Sequence, residues 1–169
     1  NIWLGKCEST RSRYPNALDH LLEALDVYIE EEDSLEIADI YKNLANVYSN
    51  NGNNREAMRY YNVAMEIYRS LKDLRGEGAI LNNIGTIFLS LENTDSALYY
   101  LNQSRLSGIE IQDNSLLATS YTNMGYAFAV KEDFVKAIEY YQQSFNIAAE
   151  LDAKETMSTA LLNIGDGYM

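Results

Sequence analysis

Apolar residues recur along this chain at intervals of three and four, and the whole pattern returns every 40 residues without insertion. Tyr41, Leu44, Ala45 and Tyr48 fall at i, i+3, i+4 and i+7, a single stripe of helical period. A second stripe follows in Ala57, Tyr61, Ala64, Met65 and Tyr68. Polar stretches at Ser49–Arg55, Leu91–Asp95 and Lys131–Asp133 divide each period in two, and they are short enough to make successive helices antiparallel neighbours. The pattern predicts helix pairs at about 38–73, 78–113 and 118–152, a weaker pair before them, and a terminal helix from about 155. With one proline and nine glycines there are few breakers, and Val, Ile and Thr are too sparse for strands, so the chain reads as all-α.

The repeat is tightest around four asparagines. Asn43, Asn83, Asn123 and Asn163 are each followed by an apolar residue (Leu44, Ile84, Met124, Ile164), then a small one (Ala45, Gly85, Gly125, Gly165). An aromatic closes each copy as Tyr48, Phe88, Phe128 and Tyr168. Ala57, Ala97 and Ala137 hold a matching address in the second helix. Small residues at both addresses let two helix backbones approach, and replacing one by Leu is expected to overpack the contact by ~1–3 kcal/mol. One helix pair cannot bury both of its faces, so stacking of pairs is the physical solution.

These residues resemble the tetratricopeptide repeat, whose bulky, Leu, Gly and Tyr positions are met by Tyr41, Leu44, Ala45 and Tyr48, and whose Ala, aromatic and Ala positions are met by Ala57, Tyr61 and Ala64. Leu81, Ile84, Gly85, Phe88 and Ala97 follow, then Tyr121, Met124, Gly125, Phe128, Ala137 and Tyr141. The resemblance implies a solenoid of antiparallel helix pairs wound into a right-handed superhelix. Residues 1–169 then form one domain: a degenerate or incomplete repeat at 1–37, full repeats at 38–77, 78–117 and 118–157, and the start of another at 158–169. The 40-residue form is similar to the long-helix branch found in bacterial sensor and peptide-receptor proteins and in polarity adaptors.

Charge narrows the partners. Thirteen basic against 25 acidic side chains leave a formal charge of −12, which disfavours a grip on nucleic acid or on a membrane surface. No window approaches 18 consecutive apolar residues and the start lacks a signal-peptide order, so no direct membrane contact is expected. The cytoplasm is the expected compartment, with a periplasmic sensor portion as the alternative. One cysteine, Cys7, allows no internal disulfide and reads as a small buried hydrophobe. His20 reads as a packing or solvent residue, and the run Glu30, Glu31, Glu32, Asp33 as a solvated helix end. Gly76-Glu77-Gly78 follows a helix and reads as the turn between repeats rather than a phosphate loop. No enzyme, cofactor or metal site is expected. The chain begins at Asn1 and its last residues read as an opening helix, so it is expected to be a piece of a longer protein.

Helical geometry puts Asn43 about 160° from Tyr41, off the core of its repeat. In the family this opposite face lines the concave groove, which the resemblance implies for Asn43, Asn83, Asn123 and Asn163, with Lys42, Asn46, Asn82, Thr86, Thr122 and Tyr126 beside them. Two readings of the asparagines stand open: a ladder of amides pairing with a peptide backbone, or bridges between adjacent repeats. Lys42, Asn46 and Asn83 also match three positions of the family's carboxylate clamp. Thr119 and Asn123 stand where its basic pair belongs, so tight carboxylate capture is not expected. The resulting expectation is a non-catalytic module that binds a protein or peptide segment, as the sensory or scaffolding part of a larger, bacterial signalling protein. The alternative is a spacer or self-association domain, two copies pairing through the open repeat ends.

Overall fold

The computed structural model describes residues 17–151 and 153–166, all of them in helices or the short turns between helices. The chain divides into two compact units, residues 1–72 and 73–169. The first contains α1 (17–30), α2 (Ser34–Asn50) and α3 (Asn54–Leu71). The second contains α4 (Leu74–Ser90), α5 (Thr94–Glu110), α6 (Asn114–Val130), α7 (Phe134–Glu150) and α8 (Lys154–Asp166).

The helix pairs begin four residues earlier than the apolar stripes predict, and the reason is capping. Asp33, Asp73 and Asp113, spaced 40 apart, each turn a carboxylate onto the first free N–H groups of α2, α4 and α6. Asn53 and Asn93 cap α3 and α5 with an amide oxygen, and Asp133 caps α7 with a carboxylate. The residue before each cap lies in the left-handed region: Glu32, Gly52, Lys72, Glu92, Gln112 and Glu132, a spacing of 20. At every turn except that at Lys72 the cap residue also closes the helix behind it, and there the N–H of Lys72 itself does so, on the Arg69 carbonyl at 3.1 Å. The N–H groups of Asn53, Asn93, Asp113 and Asp133 reach back to the carbonyls of Tyr48, Phe88, Gly108 and Phe128 at 2.9–3.0 Å. One residue therefore ends one helix and starts the next, which holds every such connection to three residues.

The predicted second-helix stripe is the buried face of α3: Ala57, Tyr61, Ala64, Met65 and Tyr68 are all buried. In α2, Leu44 and Ala45 are buried, whereas Tyr41 and Tyr48 are half-buried and stack on Tyr60, with ring centroids 6.0 and 5.4 Å away. The second unit repeats the arrangement with Phe128 on Tyr140 at 5.3 Å and Phe88 on Tyr100 at 5.3 Å. Small residues serve the close approach expected of them. A Cβ on Gly85 would meet Leu101 at 2.7 Å, and one on Gly125 would meet the Tyr141 ring at 2.7 Å.

Gly76-Glu77-Gly78 is not the turn between repeats. Asp73 accepts from the N–H groups of Arg75 and Gly76, so the helix is already under way and both glycines are buried in its first turns. Gly78 makes room for α6: its missing Cβ would lie 2.5 Å from Leu116 Cδ2. Two hydroxyl contacts also run through the second unit, where the periodic pattern predicts only apolar packing. Ser104 and Ser120 pair at 2.9 Å with both residues fully buried, and Ser144 bonds the Ala118 carbonyl at 2.8 Å.

Candidate functional site

Along the polar face of α2 the first unit ties its groove residues down. Tyr61 and Tyr68 bury their rings and bring their hydroxyls out onto this face, where each needs an acceptor. Tyr61 donates to Asn46 Oδ1 at 2.5 Å and Tyr68 donates to Asp39 Oδ1 at 2.6 Å. Lys42 bonds the same Asp39 oxygen and lies 5.7 Å from the Tyr68 ring centre. Burial acts to raise the Asp39 pKa, but hydrogen bonds from Lys42 and Tyr68 and the Lys42 charge outweigh it and hold the carboxyl below its ordinary value. Lys42 and Asn46 are thus engaged with neighbours from their own repeat, while Asn43 is exposed.

In the second unit α4 and α6 border a hollow of about 260 Å³. Ala79, Asn82 and Asn83 line it from α4, and Ser115, Leu116 and Thr119 from α6. Arg75 and Asp113 sit at its margin, with Nε 2.8 Å from Oδ2. The Asp113 side chain is 13% exposed and also caps α6, so the ion pair fixes the first turn of α4 against that of α6. Asn82 is the deepest polar group. It is 6% exposed, and its Oδ1 accepts from Asn123 Nδ2 at 3.1 Å across the two repeats. Its own Nδ2 donates to no described residue, and among the described residues no buried polar side-chain atom lacks a partner, so that N–H₂ group is open to the hollow that Asn82 lines.

The remaining groove candidates have different surroundings. Asn83 is half-buried in the hollow and Thr86 bonds its carbonyl at 2.7 Å. Thr122 shares its hydroxyl between the Ala118 carbonyl at 3.0 Å and Ser144 of α7 at 2.7 Å. Tyr126 is exposed, and Asn163 is half-buried in α8. The four periodic asparagines therefore occupy four environments. Arg75, Asp113 and Ser115 were not legible as site residues, because the first two are joined by a contact between repeats that no local periodicity marks. The recurrence of Asp33, Asp73 and Asp113 was the available signal.

His20 has an exposed side chain, 3.7 Å from Glu23, and the run from Glu30 to Asp33 is an exposed helix end with Asp33 as a cap. Cys7 lies outside the described residues. Among the described residues no three of His, Cys, Asp and Glu are gathered to hold a metal, and no helix is long and apolar enough to cross a membrane.

Paired antiparallel helices, spaced evenly and, within the second unit, stacked so that first helices meet first helices, define a helical repeat. Residues 1–70 match the family model of the tetratricopeptide repeat. Solved structures extend the likeness over nearly the whole chain. BtubC (BKLC) from P. vanneervenii is 21% identical with a TM-score of 0.78, over 98% of this chain and 69% of that one. The nearly identical TPR-like repeats of a putative kinesin light chain from Podosopora anserina give 14% identity and a TM-score of 0.68, over 98% and 82%. A signal transduction ATPase with a tetratricopeptide repeat sensor, from Pyrococcus horikoshii, gives 18% and 0.54, over 99% of this chain and 32% of that one. No curated protein matches the sequence. The chain is thus similar to tetratricopeptide-repeat proteins, by the family model over residues 1–70 and by fold over the rest; such repeats generally mediate protein–protein interaction and are typically non-catalytic.

Proposed function

We propose that this chain is a non-catalytic module that binds a protein or peptide segment along the α4–α6 face, as the sensory or scaffolding part of a larger signalling protein. The observation that carries the reading is the Asn82 amide. It is almost wholly buried, satisfied on its oxygen by Asn123, and offers its N–H₂ group to the hollow. A buried donor of this kind suits a ligand that presents carbonyl oxygens, and an extended backbone supplies them at regular intervals. Asn83 and Thr119 line the same space. The likeness to a tetratricopeptide repeat sensor supports a sensory setting, and the general use of such repeats in protein–protein interaction supports a scaffolding one.

Peptides selected on the intact chain by display test the reading. Replacing Asn82 or Asn83 by Ala should weaken such a peptide by roughly fivefold where one hydrogen bond worth about 1 kcal/mol is lost, and more where a buried peptide group is stranded. Thermal unfolding of each variant separates binding from structure. A fall in melting temperature with unchanged peptide affinity would overturn the proposal and leave the asparagines as bridges in a spacer, the reading that the Asn123–Asn82 bond favours.

A further inference from the structure

The edge of the second unit where its helix pairs turn carries a different kind of surface. Leu91 stands in the α4–α5 turn and is 57% exposed, and Tyr99 on α5 is 62% exposed. Phe134 and Val135 open α7 at 47% and 71%. An ion pair joins the two turns: Lys131, between α6 and α7, reaches Asp95 at the start of α5 at 2.7 Å. Tyr99 follows Asp95 by one turn of α5, and Phe134 and Val135 open α7 directly after the turn that carries Lys131, so the apolar side chains stand on the two segments that this pair joins.

The repeat does not require apolar residues there. In the first unit the same four addresses are Asn51, Arg59, Asn54 and Arg55, and the helices form in the same way. Exposed apolar groups clustered on one edge, where an equivalent repeat is polar, mark an interaction surface. Charge selects its occupant. The two lysines of this edge are neutralised in place, Lys131 by Asp95 and Lys136 by Asp133 at 3.0 Å, and both carboxyls are held below their ordinary pKa by these contacts. Glu92, Glu132 and Glu139 are exposed with no ion pair among the described residues. Residues 73–169 hold 13 acidic and 5 basic side chains. A second copy of this acidic chain and an anionic bilayer are both repelled.

We propose that this edge docks a cationic amphipathic segment of a partner protein, its apolar side chains on Leu91, Tyr99, Phe134 and Val135 and its Lys or Arg side chains on Glu92, Glu132 and Glu139. The surface is separate from the α4–α6 hollow, so either site stands or falls alone. The test uses the full chain and a fluorescent amphipathic Leu/Lys peptide, with a Ser/Lys peptide of equal charge as control, read by fluorescence anisotropy. Leu/Lys should bind at least tenfold more tightly than Ser/Lys and weaken with salt. Phe134→Asn with Val135→Asn should remove that tenfold advantage, and Leu91→Asn should reduce it. Leu162→Asn, at an exposed apolar residue of α8 outside this edge, should leave it unchanged. These side chains are exposed, so the variants should melt with the parent. Equal binding of the two peptides would overturn the proposal. So would an advantage that survives all three edge substitutions, or self-association of the parent that the edge substitutions abolish.

Discussion

Gly125 offers a test of how closely the helices of one repeat approach. A methyl group there would lie 2.7 Å from both Cδ1 and Cε1 of Tyr141 and 3.1 Å from the Ala137 carbonyl oxygen. Tyr141 is 3% exposed and its ring is flat and stiff, so the conflict is relieved only by moving α7 away from α6. Overpacking of this kind costs ~1–3 kcal/mol. Alanine in place of glycine returns ~1 kcal/mol of helix propensity. Gly125→Ala should therefore lower stability by up to about 2 kcal/mol, or several degrees in melting temperature for a chain of this size. Gly108 is the internal control. Its added methyl would meet Leu117 Cγ and Cδ2 at 3.1 Å, a half-buried branched side chain that can rotate, so Gly108→Ala should be neutral or stabilising by up to about 1 kcal/mol. Urea and thermal unfolding followed by circular dichroism measure both. If Gly125→Ala gained as much stability as Gly108→Ala, the close α6–α7 contact would not exist and the packing reason for Gly at this address would fall.

Three further outcomes follow from single contacts. Ser104→Ala strands the fully buried Ser120 hydroxyl and should cost ~1–3 kcal/mol, whereas Ser104→Ala with Ser120→Ala should recover most of that in the same unfolding assay. Gly52 has φ +77° and nothing within 4 Å of an added Cβ, so Gly52→Ala should cost about 1 kcal/mol through backbone strain alone, and an unchanged urea midpoint would contradict this. The Asp39 pKa is lowered in the folded chain, so its share of stability is complete above the unfolded value near 3.8 and lost as pH falls through the lower folded value. The stability gap between the parent and Asp39→Asn should therefore narrow below about pH 4, and a gap that stays constant to lower pH would refute the ion pair's role.

The core was legible because it obeys one period. Ala57, Tyr61, Ala64, Met65 and Tyr68 share a face by spacing alone, and all five are buried. Helix starts were less legible, since the apolar stripe begins one turn inside the helix and the marker is a polar residue. Asp33, Asp73 and Asp113 repeat as faithfully as the asparagines, yet they pass for surface charges until their carboxylates are seen on backbone N–H groups. Gly76 and Gly78 misled for a related reason: paired glycines are read as a turn, but both lie inside α4, and Gly78 answers to Leu116 on another helix, 38 residues beyond it. The hollow was least legible. Arg75 with Asp113 and Asn82 with Asn123 are pairs between repeats, and a helical wheel orders only the residues of one helix.

That division has a physical basis in the 20-residue spacing of the turns. A left-handed residue followed by a capping Asp or Asn fixes where helices stop and start, whichever residues occupy the outward faces. With connection and core assigned to a few addresses, the others vary at little cost to folding. Position 40n+15 is Arg55, Asp95 and Val135 in successive copies, all exposed and all in the first turn of a helix. Departures from the repeat are consequently where specific recognition has to be sought. The Arg75–Asp113 pair, the Asn82 amide and the apolar edge at Phe134 are each such a departure, confined to the second unit. The first unit at the matching addresses has Leu35, Lys42 and Asn54, and its groove polar groups are bound to its own tyrosines. Periodicity thus accounts for the scaffold, and aperiodicity marks the two surfaces proposed above for a partner.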